Sequence, residues 1–137
     1  MNISRQLLDE LVAHVLEDPR NEVCGVVAIE ADGSAPGAAH AVRVHRAVNI
    51  HASPLKFEID PKELLELSNT IEDHGWEIGA IYHSHVRSRP YPSQTDINLA
   101  FYPEALYVIV GLNGEEADVR AFAIRDGQVS EAELVVE

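Results

Sequence analysis

The chain has 137 residues, 46% hydrophobic and 24% charged, which is the size of one globular domain (roughly 100–150 residues) and too apolar for a disordered segment. Acidic residues outnumber basic ones 23 to 10, for a net charge of −13; such a surface repels a phosphate backbone and excludes nucleic acid as a partner, and either solubility or a high-salt setting accounts for the acidity, which composition alone does not separate. No apolar run nears the roughly 18 residues of a membrane span, and no h-region of a signal peptide is present, so the expectation is a cytoplasmic protein without membrane contact. The single cysteine, Cys24, rules out a disulfide framework and any zinc site needing two thiolates from one chain, which removes zinc fingers and zinc deaminases.

In chain order, Ser4 is placed to cap a helix whose Leu7, Leu8, Leu11, Val12, Val15 and Leu16 follow the 3.6-residue period, closed by Pro19. Val23 to Ile29 is a near-continuous apolar run, the pattern of a strand buried on both faces, and Ala31 to Ala38 is a turn or loop. Ala41 to Ile50 resumes a β-branched pattern, and Lys56 to Ile59 predicts a short strand. Asp60-Pro61 marks a helix start with proline at the first helical position, Leu64, Leu65, Leu67, Ser68 and Ile71 form its inner face, and Gly75 suits its exit. Glu77 to His85 is a strand entering a proline-bearing loop, Arg89 to Pro92, and a short helix starts near Ser93. Leu106 to Val110, Val119 to Ile124 and Val129 to Val136 are strands of an antiparallel meander, separated by the hairpin dipeptides Asn113-Gly114 and Asp126-Gly127. Strands interleaved with two main helices predict a single α/β domain over residues 1–137, a mixed β-sheet flanked by helices.

His83 and His85 are two apart on the predicted strand, so the period of two puts both imidazoles on one face, able to converge on one cation. Asp96 follows across the loop, eleven residues after His85, and two imidazoles plus one carboxylate leave a fourth tetrahedral position for water, the mark of a catalytic zinc. Either half alone has a plain structural explanation: histidine pairs on strands are common, and Ser93-Gln94-Thr95-Asp96 matches a capping box. Together, with this spacing, they point to a metal. A rival thiol chemistry at Cys24 has no histidine–acid set to support it, and an unpaired cysteine in an apolar strand is commonly a small core residue. Arg87 and Arg89 lie in the same loop of an otherwise acidic chain, where they either grip a substrate carboxylate or acidic partner or are simply solvated.

The stretch HSHVRSRPYPSQTD, His-x-His, seven residues, Ser, two residues, Asp, resembles the JAMM motif of the MPN-domain metallopeptidases, and every defining position is filled. The opening helix, the ExCG segment, the NIHASPLKFEIDPKE stretch and the YPEALYVIVGL strand extend the likeness over nearly the whole chain, and the local spelling is closest to actinobacterial enzymes that free cysteine from a sulfur-carrier protein. One departure is Val86, where many members carry proline. The resemblance implies a cytidine-deaminase-like three-layer sandwich with one Zn2+ per chain on His83, His85 and Asp96. It further implies Glu22, in NEVCGVV, as general base, and Ser93 as a donor to the oxyanion. The implied activity is hydrolysis of the amide after the C-terminal Gly-Gly tail of a ubiquitin-like sulfur carrier, releasing cysteine for cysteine biosynthesis. The rivals are an isopeptidase that frees ubiquitin-like modifiers from lysine and a silent MPN-type scaffold, the latter weakened by the intact motif.

Overall fold

The structure is a computed structural model describing residues 1–137. Six strands, β2 (Cys24–Glu30), β3 (Ala41–Ala47), β4 (Trp76–His85), β5 (Leu106–Gly111), β6 (Asp118–Arg125) and β7 (Gln128–Ala132), form one sheet in the order β3-β2-β4-β5-β6-β7. All neighbours are antiparallel except β4 and β5, which run parallel. A parallel pair needs a crossover, and here residues 86–105 supply it, including the short helix α3 (Gln94–Asn98). The C-terminal end of β4 and the start of α3 are thereby brought together at the mouth of the crossover, the place where α/β sheets gather ligands.

Helices cover both faces of the sheet. Helix α1 (Arg5–Leu16) is capped by Ser4, whose hydroxyl accepts from the Leu7 amide at 3.1 Å, and buries Leu8, Leu11, His14 and Val15. It packs with Val27, Ile29, Ala80, Tyr82 and Val108 on one face. Helix α2 (Pro61–Asp73) starts at Asp60, whose carboxylate accepts from the Lys62 amide, with Pro61 in the first turn. Its Leu64, Leu67 and Ile71 meet Val26, Ala28, Ile81, Tyr107 and Ile109 on the other face. Because β2 is buried from both sides, its unbroken apolar run is what this position in the sheet demands. The alternation along β4 sends Tyr82 toward α1 and Ile81, His83 and His85 toward α2 and α3.

Several expectations are corrected. Lys56 to Ile59 forms no strand; only an isolated bridge, Asn49 to Ile59, marks it. The β-branched run from Ala41 ends as a strand at Ala47 rather than Ile50. Val129 to Val136 is broken into β7 and β8 (Val135–Val136), and β8 leaves the meander to pair in parallel with β1 (Asn2–Ile3), a two-residue strand with no signature of its own in the sequence. Leu65 is 62% exposed rather than inward, and Leu16 is 54% exposed at the end of α1. The hairpin dipeptides stand where expected: Asp126 and Gly127 both have positive φ (51° and 75°), as a two-residue primed turn requires, and Asn113-Gly114 lies between antiparallel β5 and β6. No helix is long and apolar enough to cross a membrane.

Candidate active site

His83, His85 and Asp96 converge in the interior at the end of β4. Nε2 of His83 and Nε2 of His85 are 3.1 Å apart, and Asp96 Oδ2 lies 2.9 Å from His85 Nε2 and 3.3 Å from His83 Nε2. All three residues are buried. The strand fixes the two rings; the capping box of α3 fixes the carboxylate. Ser93 Oγ accepts from the Asp96 amide at 3.0 Å, and the Ser93 amide donates to Asp96 Oδ2 at 2.9 Å, so the residues that start the helix also aim the acid.

This donor set fits a divalent cation. His85 Nδ1 faces the Arg89 carbonyl at 2.8 Å and donates to it, which leaves Nε2 as the lone-pair nitrogen. In the neutral ring the lone pairs of His85 Nε2 and Asp96 Oδ2 then face one another across 2.9 Å; a proton on Nε2 makes this contact a hydrogen bond, and a metal ion between the two would take the place of that proton. A tetrahedral ion with bonds of about 2.0–2.1 Å separates its ligands by about 3.3 Å, close to the separations seen. His83 Nδ1 is buried without a partner in the protein, and the Phe57 ring stacks on the His83 ring at 4.3 Å between centroids.

Electrostatics within the cluster follow from burial and mutual charge. Burial opposes ionisation of Asp96, but hydrogen bonds from His83 and His85, the charge of His83 and the Ser93 amide outweigh it and hold the carboxyl well below the usual range. Burial lowers the pKa of His83, whereas the Asp96 carboxylate overcomes burial and raises that of His85.

Glu22 lies beside this cluster, only 5% exposed, with Oε1 buried and without a partner. Burial pushes its carboxyl up to about 8, a shift that His85 opposes and Asp96 adds to. Its backbone is held from two sides. The Glu22 amide donates to the Ser53 carbonyl (2.8 Å) and its carbonyl accepts from Asn49 Nδ2 (3.0 Å). Next to it the Val23 amide donates to Ser84 Oγ, and the Ser84 amide donates to the Val23 carbonyl. The residue between the two histidines thus ties their strand to the segment that carries Glu22.

Ser93 is exposed at the rim; its oxygen accepts from the Asp96 amide, which leaves the hydroxyl proton free to donate outward. Arg87 is exposed and forms no ion pair within the chain. The guanidinium of Arg89 lies over the Tyr91 ring at 4.8 Å, and its backbone carbonyl serves His85, so this residue has a structural task besides its charge. Cys24 is fully buried and burial pushes its thiol up to about 12, which makes it inert at neutral pH. Asn49, Phe57 and Ser84 carry no spacing signal that points to the site; the first two lie in NIHASPLKFEIDPKE and the third inside the motif itself, so only the resemblance marks their neighbourhood. An apolar cavity of about 630 Å³ opens beside the site, lined by Phe57, Leu64, Ile81, Leu99, Phe101 and Tyr107 among others.

The sheet order, the crossover and the donor set at its mouth define a hydrolase of the JAMM metallopeptidase type. Residues 4–125 match the family model of prokaryotic homologs of the JAB domain, and the chain belongs to that family. The CysO-cysteine peptidase of Mycobacterium bovis is 34% identical over 130 residues, covering 94% of this chain and 86% of that protein. A Thermus thermophilus protein named "Probable TtuB-protein conjugate cleaving protease" is 37% identical over 135 residues, covering 98% of this chain and 81% of that protein. Among solved structures, protein DSY2949 from Desulfitobacterium hafniense superposes with a TM-score of 0.88 at 28% identity, covering 99% of this chain and 92% of the other.

Proposed function

We propose that this protein is a zinc-dependent peptidase, one Zn2+ per chain, acting through the single domain of residues 1–137 on the amide that follows the C-terminal Gly-Gly tail of a ubiquitin-like sulfur carrier. The product is free cysteine, which places the enzyme in cysteine biosynthesis in the cytoplasm. The observation that carries the hydrolytic reading is the pairing of a three-ligand cluster with a buried carboxyl, Glu22, whose free oxygen has no other partner. The naming of a relative for a cysteine adduct supports the choice of substrate.

His83, His85 and Asp96 would hold the ion, which when bound would supply Lewis-acid activation of water and of the scissile carbonyl. Glu22 Oε1 takes a proton from the attacking water as the water oxygen bonds to the carbonyl carbon. Burial by itself favours the neutral acid; a cation on the neighbouring cluster would favour the carboxylate, which then acts as base and passes the proton it takes to the leaving amine as the C–N bond breaks. The Ser93 hydroxyl donates to the developing oxyanion, a contact typically worth about 10²–10³ in rate. Arg87, and to a lesser extent Arg89, draw in an acidic partner or the carboxylate of the departing cysteine. The Gly-Gly tail has almost no side chain to recognise, so its backbone is held in extended form beside the cleft.

A second reading, cleavage of a ubiquitin-like modifier from a lysine side chain, is favoured by the relative named for protein conjugates, which matches at a comparable identity. One assay separates the two. A carrier ending in Gly-Gly-Cys and the same carrier joined to a lysine side chain are offered to the zinc-loaded protein, and products are weighed by intact mass. Faster release of cysteine supports the peptidase, a preference for the lysine conjugate supports the isopeptidase, and binding without turnover of either supports the silent scaffold.

A further inference from the structure

Glu22 lies outside the β-ladder that carries the rest of its segment, so something else must fix it. Strands β2 and β3 pair with Cys24 opposite Ala47, and continuing that antiparallel register by two residues sets Glu22 opposite Asn49. The ladder does not continue, because β3 ends at Ala47 and the chain turns away into residues 48–58. In place of a strand amide, the side chain of Asn49 donates from Nδ2 to the Glu22 carbonyl at 3.0 Å.

The same carboxamide closes the loop on itself. Nδ2 also donates to the Lys56 carbonyl at 3.0 Å, and Oδ1 accepts from the amides of His51 and Glu58, each at 3.1 Å. Two carbonyls at one end and two amides at the other use the full hydrogen-bonding capacity of an asparagine side chain and leave its orientation unambiguous. The loop so closed presents the Ser53 carbonyl to the Glu22 amide at 2.8 Å and lays the Phe57 ring on His83 at 4.3 Å. One strap, knotted by one side chain, thus grips both the carboxylate residue and one of the histidines beside it.

We infer that Asn49 is a positioning residue: it sets the backbone of Glu22, and through it the carboxyl, against the His83–His85–Asp96 cluster. The catalytic consequence rests on the hydrolytic reading given above; the placement of Glu22 does not. Aspartate at this position keeps the size and both acceptor contacts but removes the two donors and turns a carboxylate oxygen toward the Glu22 and Lys56 carbonyls, so Asn49→Asp cuts the tie to Glu22 together with the Lys56 contact that closes the strap.

The test compares wild type and Asn49→Asp, each with and without Glu22→Gln, in three measurements: turnover of a carrier conjugate, the cobalt(II) absorption spectrum of the substituted protein, and amide hydrogen exchange by NMR. Asn49→Asp lowers kcat by about 10²-fold, the loss expected from a misplacement of about 1 Å, leaves KM within about twofold, and leaves the cobalt spectrum unchanged. The Glu22 amide exchanges about tenfold faster while that of Val26, inside β2, does not change. With Glu22→Gln in place, Asn49→Asp has no further effect on the residual rate. Unchanged exchange at Glu22 overturns the inference, as does an equal loss of rate with and without Glu22→Gln. Should Asn49→Asp fail to fold, Asn49→Ser, which removes the donors without setting a negative charge against the Glu22 and Lys56 carbonyls, gives the same comparison. A wild type that hydrolyses no conjugate refutes the hydrolytic reading, and the exchange measurement then decides by itself whether Asn49 holds Glu22.

Discussion

Substituting Gly25 by alanine tests how tightly the strand behind the site is packed. A Cβ on Gly25 meets Tyr82 Cζ and Oη at 2.3 Å and Cε1 at 2.4 Å, against an ordinary carbon–carbon contact of about 3.5–4.0 Å, so the ring must retreat by more than about 1 Å. Tyr82 is fully buried and its hydroxyl lies 2.6 Å from His14 Nδ1, so retreat also breaks that bond. Overpacking costs about 1–3 kcal/mol and an unsatisfied buried hydroxyl about 1–3 kcal/mol more. The sum, about 2–6 kcal/mol, corresponds to a fall in Tm of roughly 5–20 °C for a domain of this size. Denaturant unfolding with a second probe of two-state behaviour measures it. Trimming the ring in the double variant Gly25→Ala/Tyr82→Leu recovers part of the loss, because the clash partner is gone. A Gly25→Ala protein melting within a degree of wild type refutes the packing, and with it the explanation for glycine in the ExCG segment.

Other outcomes follow from the same geometry. Burial, with help from Arg46 and against Glu17, holds the pKa of His14 below its unfolded value of 6.5; the unfolded chain therefore takes up the proton first, and stability present above pH 6.5 declines as pH falls below it. His14→Gln flattens that part of the Tm-against-pH curve, and an unchanged slope contradicts the assignment. Zinc at a hundred times its dissociation constant adds about 2.7 kcal/mol to wild-type stability, and His83→Ala abolishes the shift; an equal shift in both proteins removes His83 from the metal site. Arg87→Ala raises KM more than it lowers kcat, and Arg89→Ala, whose guanidinium is already stacked on Tyr91, does so less; a loss confined to kcat refutes a binding role for Arg87.

What the sequence disclosed and what it concealed divide by the range of the interactions. Ser4, Asp60-Pro61 and Ser93–Asp96 are local signals, each completed within one helical turn, and each marks a helix start in the structure. The His83–His85 pair was equally legible because strand alternation is local. The pairing of β1 with β8 joins the two ends of the chain and carries no local signature in two residues per strand. Leu65 fits the helical period as well as Leu64 does, and periodicity cannot distinguish a residue on the core from one at the rim of a cavity. Lys56 to Ile59 has the composition of a strand but is held by a side-chain knot at Asn49 in place of a ladder. The placement of Glu22 came from the resemblance, since nothing in its spacing relates it to a cluster 61 residues further on, at the strand end where Val23 meets Ser84.

The most direct test of the account is single-turnover cleavage of a carrier ending in Gly-Gly-Cys, followed by intact mass, for wild type and Glu22→Gln, each zinc-loaded and each after chelation. Cysteine release by zinc-loaded wild type, its loss on chelation, and a drop of about 10²–10⁴ in Glu22→Gln with zinc still bound are the predicted results. Release that survives chelation, or that survives Glu22→Gln undiminished, contradicts the metal-and-carboxylate mechanism.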